Sequence, residues 1–115
     1  MCIRDRPVPI DTASGSILAL PYALEVNDST TMVGRAASAS DFADMIVDEF
    51  DELLERSEEQ PLVMSVVVHS FISGAPFRLR ALDRALQHMA AQHERVWFTQ
   101  PRAIAAHLAR TEASA

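Results

Sequence analysis

The spacing of hydrophobic positions changes period several times along this chain, and each change marks an element. Ile17 to Ala23 is a short apolar segment interrupted by Pro21 and followed by the polar run Asn27-Asp28-Ser29-Thr30-Thr31, a pattern that predicts an edge or barrel strand entering a loop. After Gly34, Phe42, Met45, Ile46, Phe50, Leu53 and Leu54 recur at three- and four-residue steps, which predicts an amphipathic helix ending near Ser57. Ser38 or Ser40 is placed to cap it, with Asp41 in its first turn. From Leu62 to Val68 the apolar run is nearly continuous, which suits a strand covered on both faces and parallel to its neighbours. A second helix opens at Pro76 with an apolar stripe of Leu79, Leu82, Leu86, Met89 and Ala90. Val96-Trp97-Phe98 reads as a short strand, and Thr99 as the cap of a last helix containing Pro101, Ile104 and Leu108, with a fraying tail after Arg110.

Strand and helix therefore alternate three times, which implies an α/β fold of parallel strands joined by right-handed crossovers, with helices outside the sheet. In such folds ligands sit at the C-terminal ends of the strands, and the first polar side chain after a buried strand tends to face the site. His69 holds that position, five residues before the glycine of a glycine–proline turn; the alternative is a histidine that only bonds a loop carbonyl. Arg78 falls in the first turn of the following helix, where the dipole disfavours a cation by about 0.3–1 kcal/mol. Either an anion compensates it or its flexible stem swings clear. Asn27 and Asp28 end the first strand and can line the same mouth, although Asn-Asp-Ser is also ordinary loop chemistry.

Composition narrows the field. The chain has 115 residues and about half are apolar, enough for one core and at most one domain. A net charge of −6 and scattered basic residues leave no electrostatic footprint for nucleic acid. Apolar runs fall far short of the roughly 20 residues that span a bilayer, so no membrane span is expected and no address is legible. The single cysteine, Cys2, excludes an internal disulfide. The opening Met1-Cys2-Ile3-Arg4-Asp5-Arg6 resembles a translated sequencing-adapter read-through, so residues 1–6 are read as a non-native leader and Pro7 as near the first authentic residue of the remaining 7–115. Asp44, Asp48, Asp51, Glu52 and Glu55 flank the first helix and read as a solvated face before a metal site. His88 and His93 are too far round a helix to share one ion, and they and His107 read as structural. HExxH, paired CxxC, GxSxG and a phosphate-binding glycine loop are all missing from the sequence.

Leu20-Pro21-Tyr22 followed by Asn27-Asp28, then Val68-His69 with Gly74-x-Pro76-x-Arg78, and finally Val96-Trp97-Phe98-Thr99 before Ile104-Ala105, form an ordered set. That set resembles the C-terminal part of the polysaccharide deacetylases, most of all the branch of peptidoglycan and chitin deacetylases and cofactor-independent allantoinases. The resemblance runs from about Ile17 to Leu108. It implies the C-terminal portion of a distorted seven-stranded β/α barrel of the NodB type, hydrolysing amide-type carbon–nitrogen bonds. It also implies a divalent metal, zinc, held by an Asp and two His of an HxxxH motif, with a second Asp as base and a late histidine as acid. His69 matches the late histidine, and an imidazole with an intrinsic pKa of about 6.5 suits that acid. Arg78 matches a family arginine near the pocket, and the substrate class would be an N-acylated sugar or a ureide.

The departures are as informative. No HxxxH and no paired aspartates stand in the expected N-terminal context, so this chain is expected to hold no metal and to be inactive alone. Ser70 follows His69 where family members often carry proline or aspartate. An open partial barrel would expose strand edges and invite homo-oligomerisation. Two other readings stand beside the fragment: a complete small α/β interaction module that dimerises through its apolar helix faces, and a catalytically lapsed relative that binds a glycan or ureide.

Overall fold

The computed structural model describes residues 6–114. Cys2 and the rest of the expected leader up to Asp5 lie outside the described residues. Elements run β1 (Val8–Thr12), β2 (Gly15–Ala19), α1 (Ala39–Arg56), a one-turn α2 (Ser70–Ser73), α3 (Pro76–Ala90) and α4 (Pro101–Ser114). A wide π-type turn at Ser29–Gly34 joins the first extended segment to α1.

Helix α1 begins where the sequence places its cap. Ser38 is extended, its hydroxyl accepts from the Asp41 N–H at 3.0 Å, and the Asp41 carboxylate accepts from the Ser38 N–H at 3.3 Å. This reciprocal box satisfies two donors that the first turn cannot. Phe42, Ala43, Ile46 and Phe50 face inward and meet Ala81, Leu82, Ala85 and Met89 of α3. Full burial of Phe42 and Ile46 contributes about 1.5–3 kcal/mol each. Ala43 and Ala85, both completely buried, bring little bulk to the two helix faces, which favours close approach. On α3 the stripe differs from the one read from spacing: Leu82 and Met89 are buried, whereas Leu79, Leu86 and Ala90 are exposed, and the alanines at 81 and 85 take their place. Spacing alone weights large residues; the close packing of α1 selects the small ones.

The extended segments depart most from expectation. Val8–Thr12 carries no strand pattern in its sequence, yet it pairs antiparallel with Gly15–Ala19 in a hairpin closed by Ala13 and Ser14. Gly15 has φ +142°, a conformation that side chains with a Cβ rarely adopt, and its carbonyl accepts from the Thr12 hydroxyl at 2.8 Å. Leu62–Val68 is extended but builds no ladder; its one pairing is a parallel bridge between Val67 and Asn27. Its residues are half-buried or exposed, because among the described residues Val26–Asp28 is the only backbone that pairs with it. Val96–Phe98 likewise forms no strand, and Trp97 and Phe98 are exposed. The radius of gyration, 15.8 Å, exceeds the about 13 Å of a compact domain near this size, in keeping with an open arrangement. No helix among the described residues is long and apolar enough to cross a membrane.

Candidate functional site

The single parallel bridge builds the site. Val67 N–H donates to the Val26 carbonyl at 3.1 Å and Asp28 N–H to the Val67 carbonyl at 3.0 Å, so the chain leaves both segments side by side at Asp28 and His69. Beyond His69 the backbone coils at once: Ile72 and Ser73 N–H groups both return to the His69 carbonyl at 3.0 and 2.9 Å. Gly74 ends this turn. A Cβ there would stand 2.2 Å from the Ser70 carbonyl oxygen, so no other residue fits without moving backbone. Ala75 is extended, as a residue before proline must be, and Pro76 opens α3.

Asp28 is completely buried, and its carboxylate collects donors from both sides of the turn. Oδ1 accepts from His69 Nδ1 at 2.7 Å; Oδ2 accepts from the His69 N–H and the Ser73 hydroxyl, each at 2.7 Å. Burial by itself would push this carboxyl up. The donors, led by the His69 N–H and followed by its imidazole and the Ser73 hydroxyl, outweigh it and hold the group below its ordinary value of 3.8. With the carboxylate ionised, Nδ1 carries the proton, and Nε2 has no protein partner among the described residues. The His69 side chain is 39% exposed and its ring meets the edge of the exposed Phe71 at 5.8 Å. The result is an imidazole held from behind with one nitrogen presented outward, an arrangement able to donate or accept a proton at Nε2.

The other candidates are distributed around this pair. Asn27 is buried and works on the backbone: its amide donates to the Ala23 carbonyl at 3.3 Å and its oxygen accepts from the Ser29 N–H at 3.1 Å, which shapes the bend that delivers Asp28. Arg78 is half-buried; it donates to the Ile72 carbonyl at 3.4 Å and its guanidinium lies 4.9 Å from the centre of the Phe77 ring. Its compensating partners are therefore a carbonyl and an aromatic face, and no carboxylate among the described residues pairs with it. Ser73 was not singled out from sequence. The only hint was its place four residues after His69 and directly before Gly74, and a single helical turn is what brings it under Asp28.

The acidic flank of α1 is exposed and partly paired within the helical layer: Glu52 with Arg56 at 2.7 Å, Asp44 with Arg84 at 3.6 Å, and Asp51 with His88 at 2.7 Å. His93 lies in the turn after α3, and His107 meets Trp97 edge-on at 5.6 Å. No group of three or more His, Cys, Asp or Glu among the described residues can hold a metal ion. An apolar groove of about 530 Å³ runs between α1, the 61–66 segment and α4, past Phe50, Met64, Met89 and Trp97, but neither Asp28 nor His69 lines it.

The chain is thus a mixed α/β protein that joins a buried carboxylate and a half-exposed imidazole where two extended segments end. Comparison with known proteins makes this specific. A Schizosaccharomyces pombe protein named "Putative polysaccharide deacetylase" is 34% identical over 91 residues, which cover 77% of this chain and 28% of that protein. A crystal structure from Pseudomonas aeruginosa PAO1, titled as a probable polysaccharide deacetylase, superposes with a TM-score of 0.75 at 33% identity, covering 92% of this chain and 35% of that one. No family model matches the sequence. The chain is thus a relative of the polysaccharide deacetylases, with their NodB-type fold over most of its length, and it spans about a third of the length of the proteins it matches.

Proposed function

We propose that this chain is the C-terminal part, residues 7–115, of a metal-dependent hydrolase of non-peptide carbon–nitrogen bonds, deacetylase- or allantoinase-like, and that it is inactive alone. The observation that carries the reading is the buried Asp28 carboxylate on His69 Nδ1, which leaves Nε2 facing outward at the end of an extended segment. In this reading water adds to the acyl carbon. His69, as imidazolium, then gives its Nε2 proton to the leaving nitrogen as the C–N bond breaks. The water oxygen stays on the acyl carbon and the proton the water loses passes to a base, a second Asp by the resemblance, so the products are a carboxylic acid and a free amine, and the imidazole is left neutral.

Asp28 acts on His69 and not on substrate, because no part of its side chain reaches the surface. Its Oδ1, on Nδ1 at 2.7 Å, keeps the ring from turning. Asn27 supports the bend that carries Asp28, and the substrate contact is assigned to Arg78, which bonds the Ile72 carbonyl of the same turn. The substrate class is an N-acylated sugar or a ureide. A divalent metal, zinc by the resemblance, supplies a Lewis acid and an activated water when bound. The residues described here do not form its site: Asp28 already accepts from three donors, His69 offers a single nitrogen, and no third ligand stands near. Its ligands belong to other residues of the longer protein.

The test is His69→Ala in the longer protein that carries this segment, assayed on an N-acetylated sugar oligomer and a ureide. Turnover should fall about 10²–10⁴-fold, the usual worth of a positioned acid, while the protein still folds, with a denaturation midpoint lowered because the buried Asp28 loses its Nδ1–H donor. Turnover that survives the substitution removes His69 from the acid's role.

A further inference from the structure

We propose that Ser73 is a positioning residue for His69: its hydroxyl fixes the Asp28 carboxylate so that Oδ1 stays on Nδ1 and the neutral ring is held as the Nδ1–H tautomer with Nε2 open. The inference rests on the reading of His69 as the proton donor and adds the device that sets its orientation.

A carboxylate buried beside an imidazole can rotate about its last bond and offer either oxygen, or share both. Here Oδ2 is pinned by two donors of different origin, the His69 backbone N–H and the Ser73 hydroxyl, each at 2.7 Å. The first donor belongs to the residue being oriented and moves with it. The second comes from the far side of the turn and is itself 3% exposed, so water does not replace it readily. Its position is determined by backbone: the Ser73 N–H bonds the His69 carbonyl, and Gly74 closes against the Ser70 carbonyl where a Cβ would not fit. The turn therefore loops from His69 back to the carboxylate that holds His69. Phe71 covers one edge of the ring but carries no hydrogen bond to it, so orientation of the ring about its Cβ–Cγ bond depends on the Asp28 contact.

The experiment is ¹⁵N NMR of the histidine rings in the 115-residue chain, well above the imidazole pKa, with His88, His93 and His107 as internal references. The wild-type His69 ring should be overwhelmingly Nδ1–H. Ser73→Ala should shift its Nδ1–H to Nε2–H ratio by about five-fold, what one net hydrogen bond governs, without moving the reference rings. Ser73→Thr, which keeps the hydroxyl, should restore it. If the alanine variant does not fold, Ser73→Cys, similar in size and a weak donor, is read in the same way. A wild-type ratio in the folded Ala or Cys variant overturns the proposal, even if the denaturation midpoint falls, because a purely structural serine would lower stability and leave the tautomer alone. Turnover surviving His69→Ala would instead overturn the acid reading while the tautomer result, and the role of Ser73 drawn from it, stands.

Discussion

The helical layer of this molecule is built from less apolar sequence than its longest extended segment, Leu62–Val68, and the two come to different ends. Helices α1 and α3 satisfy their backbone groups internally, so a matching apolar face on each is enough to complete a core around Phe42, Ile46, Ala85 and Met89. Leu62–Val68 is richer in β-branched residues, yet its backbone gains one parallel bridge and its side chains stay half in solvent. A helix carries its hydrogen-bond partners with it; a strand depends on neighbours elsewhere in the chain. The candidate site lies on the seam between the two regions. Its carboxylate comes from the end of an extended segment, its imidazole from the end of another, and its Ser73 clamp from the first turn on the helical side.

The contrast can be broken at its strong side first. Phe42→Ala should cost about 3–5 kcal/mol, measured by urea denaturation, because it opens a cavity where both helices contribute packing. A loss below about 1 kcal/mol would mean that the helical layer is not the stabilising half. The seam gives a smaller, pH-dependent effect. The folded pKa of Asp28 is held below its unfolded value, so the stability this ionisation contributes is complete above an unfolded pKa of about 3.9 and is lost as pH falls through the folded value. Denaturation midpoints measured as pH is lowered from 5 should therefore drop more steeply for the wild type than for Asp28→Asn; parallel curves would detach Asp28 from the stability of the seam. The smallest effect belongs to the hairpin. Ile17→Ser, on an exposed residue of β2, should change stability by no more than about 0.5 kcal/mol, and a larger loss would show that the hairpin is packed against something.

Local chemistry made parts of the molecule legible in advance. The Ser38 cap, the Asp41 partner and the inward residues of α1 follow from spacing and side-chain type, since a helix is a local structure whose signals lie within a few residues. Pro76 announced α3 for the same reason, and His69 stood out as the polar residue that ends an apolar run. The hairpin was not legible, because Val8–Thr12 has no buried face and so no alternation to read. The exchange of Leu79 and Leu86 for Ala81 and Ala85 on the buried face of α3 was hidden too, because it depends on how closely α1 approaches.

By itself, then, the sequence determined helices α1, α3 and α4, the turn at Gly74–Pro76 and the place of His69 at the end of an extended segment, all of which rest on interactions within one or two turns of chain. Only the tertiary structure decided where Asp28 sits and what surrounds it. From sequence it belonged to a polar loop and read as a substrate contact; folded, it is a buried carboxylate that reaches His69 across 41 positions and Ser73 across 45. The physical reason is that a carboxylate's role is set by which donors surround it and whether water can reach it. Those donors are assembled by a single backbone bridge between two segments remote in sequence.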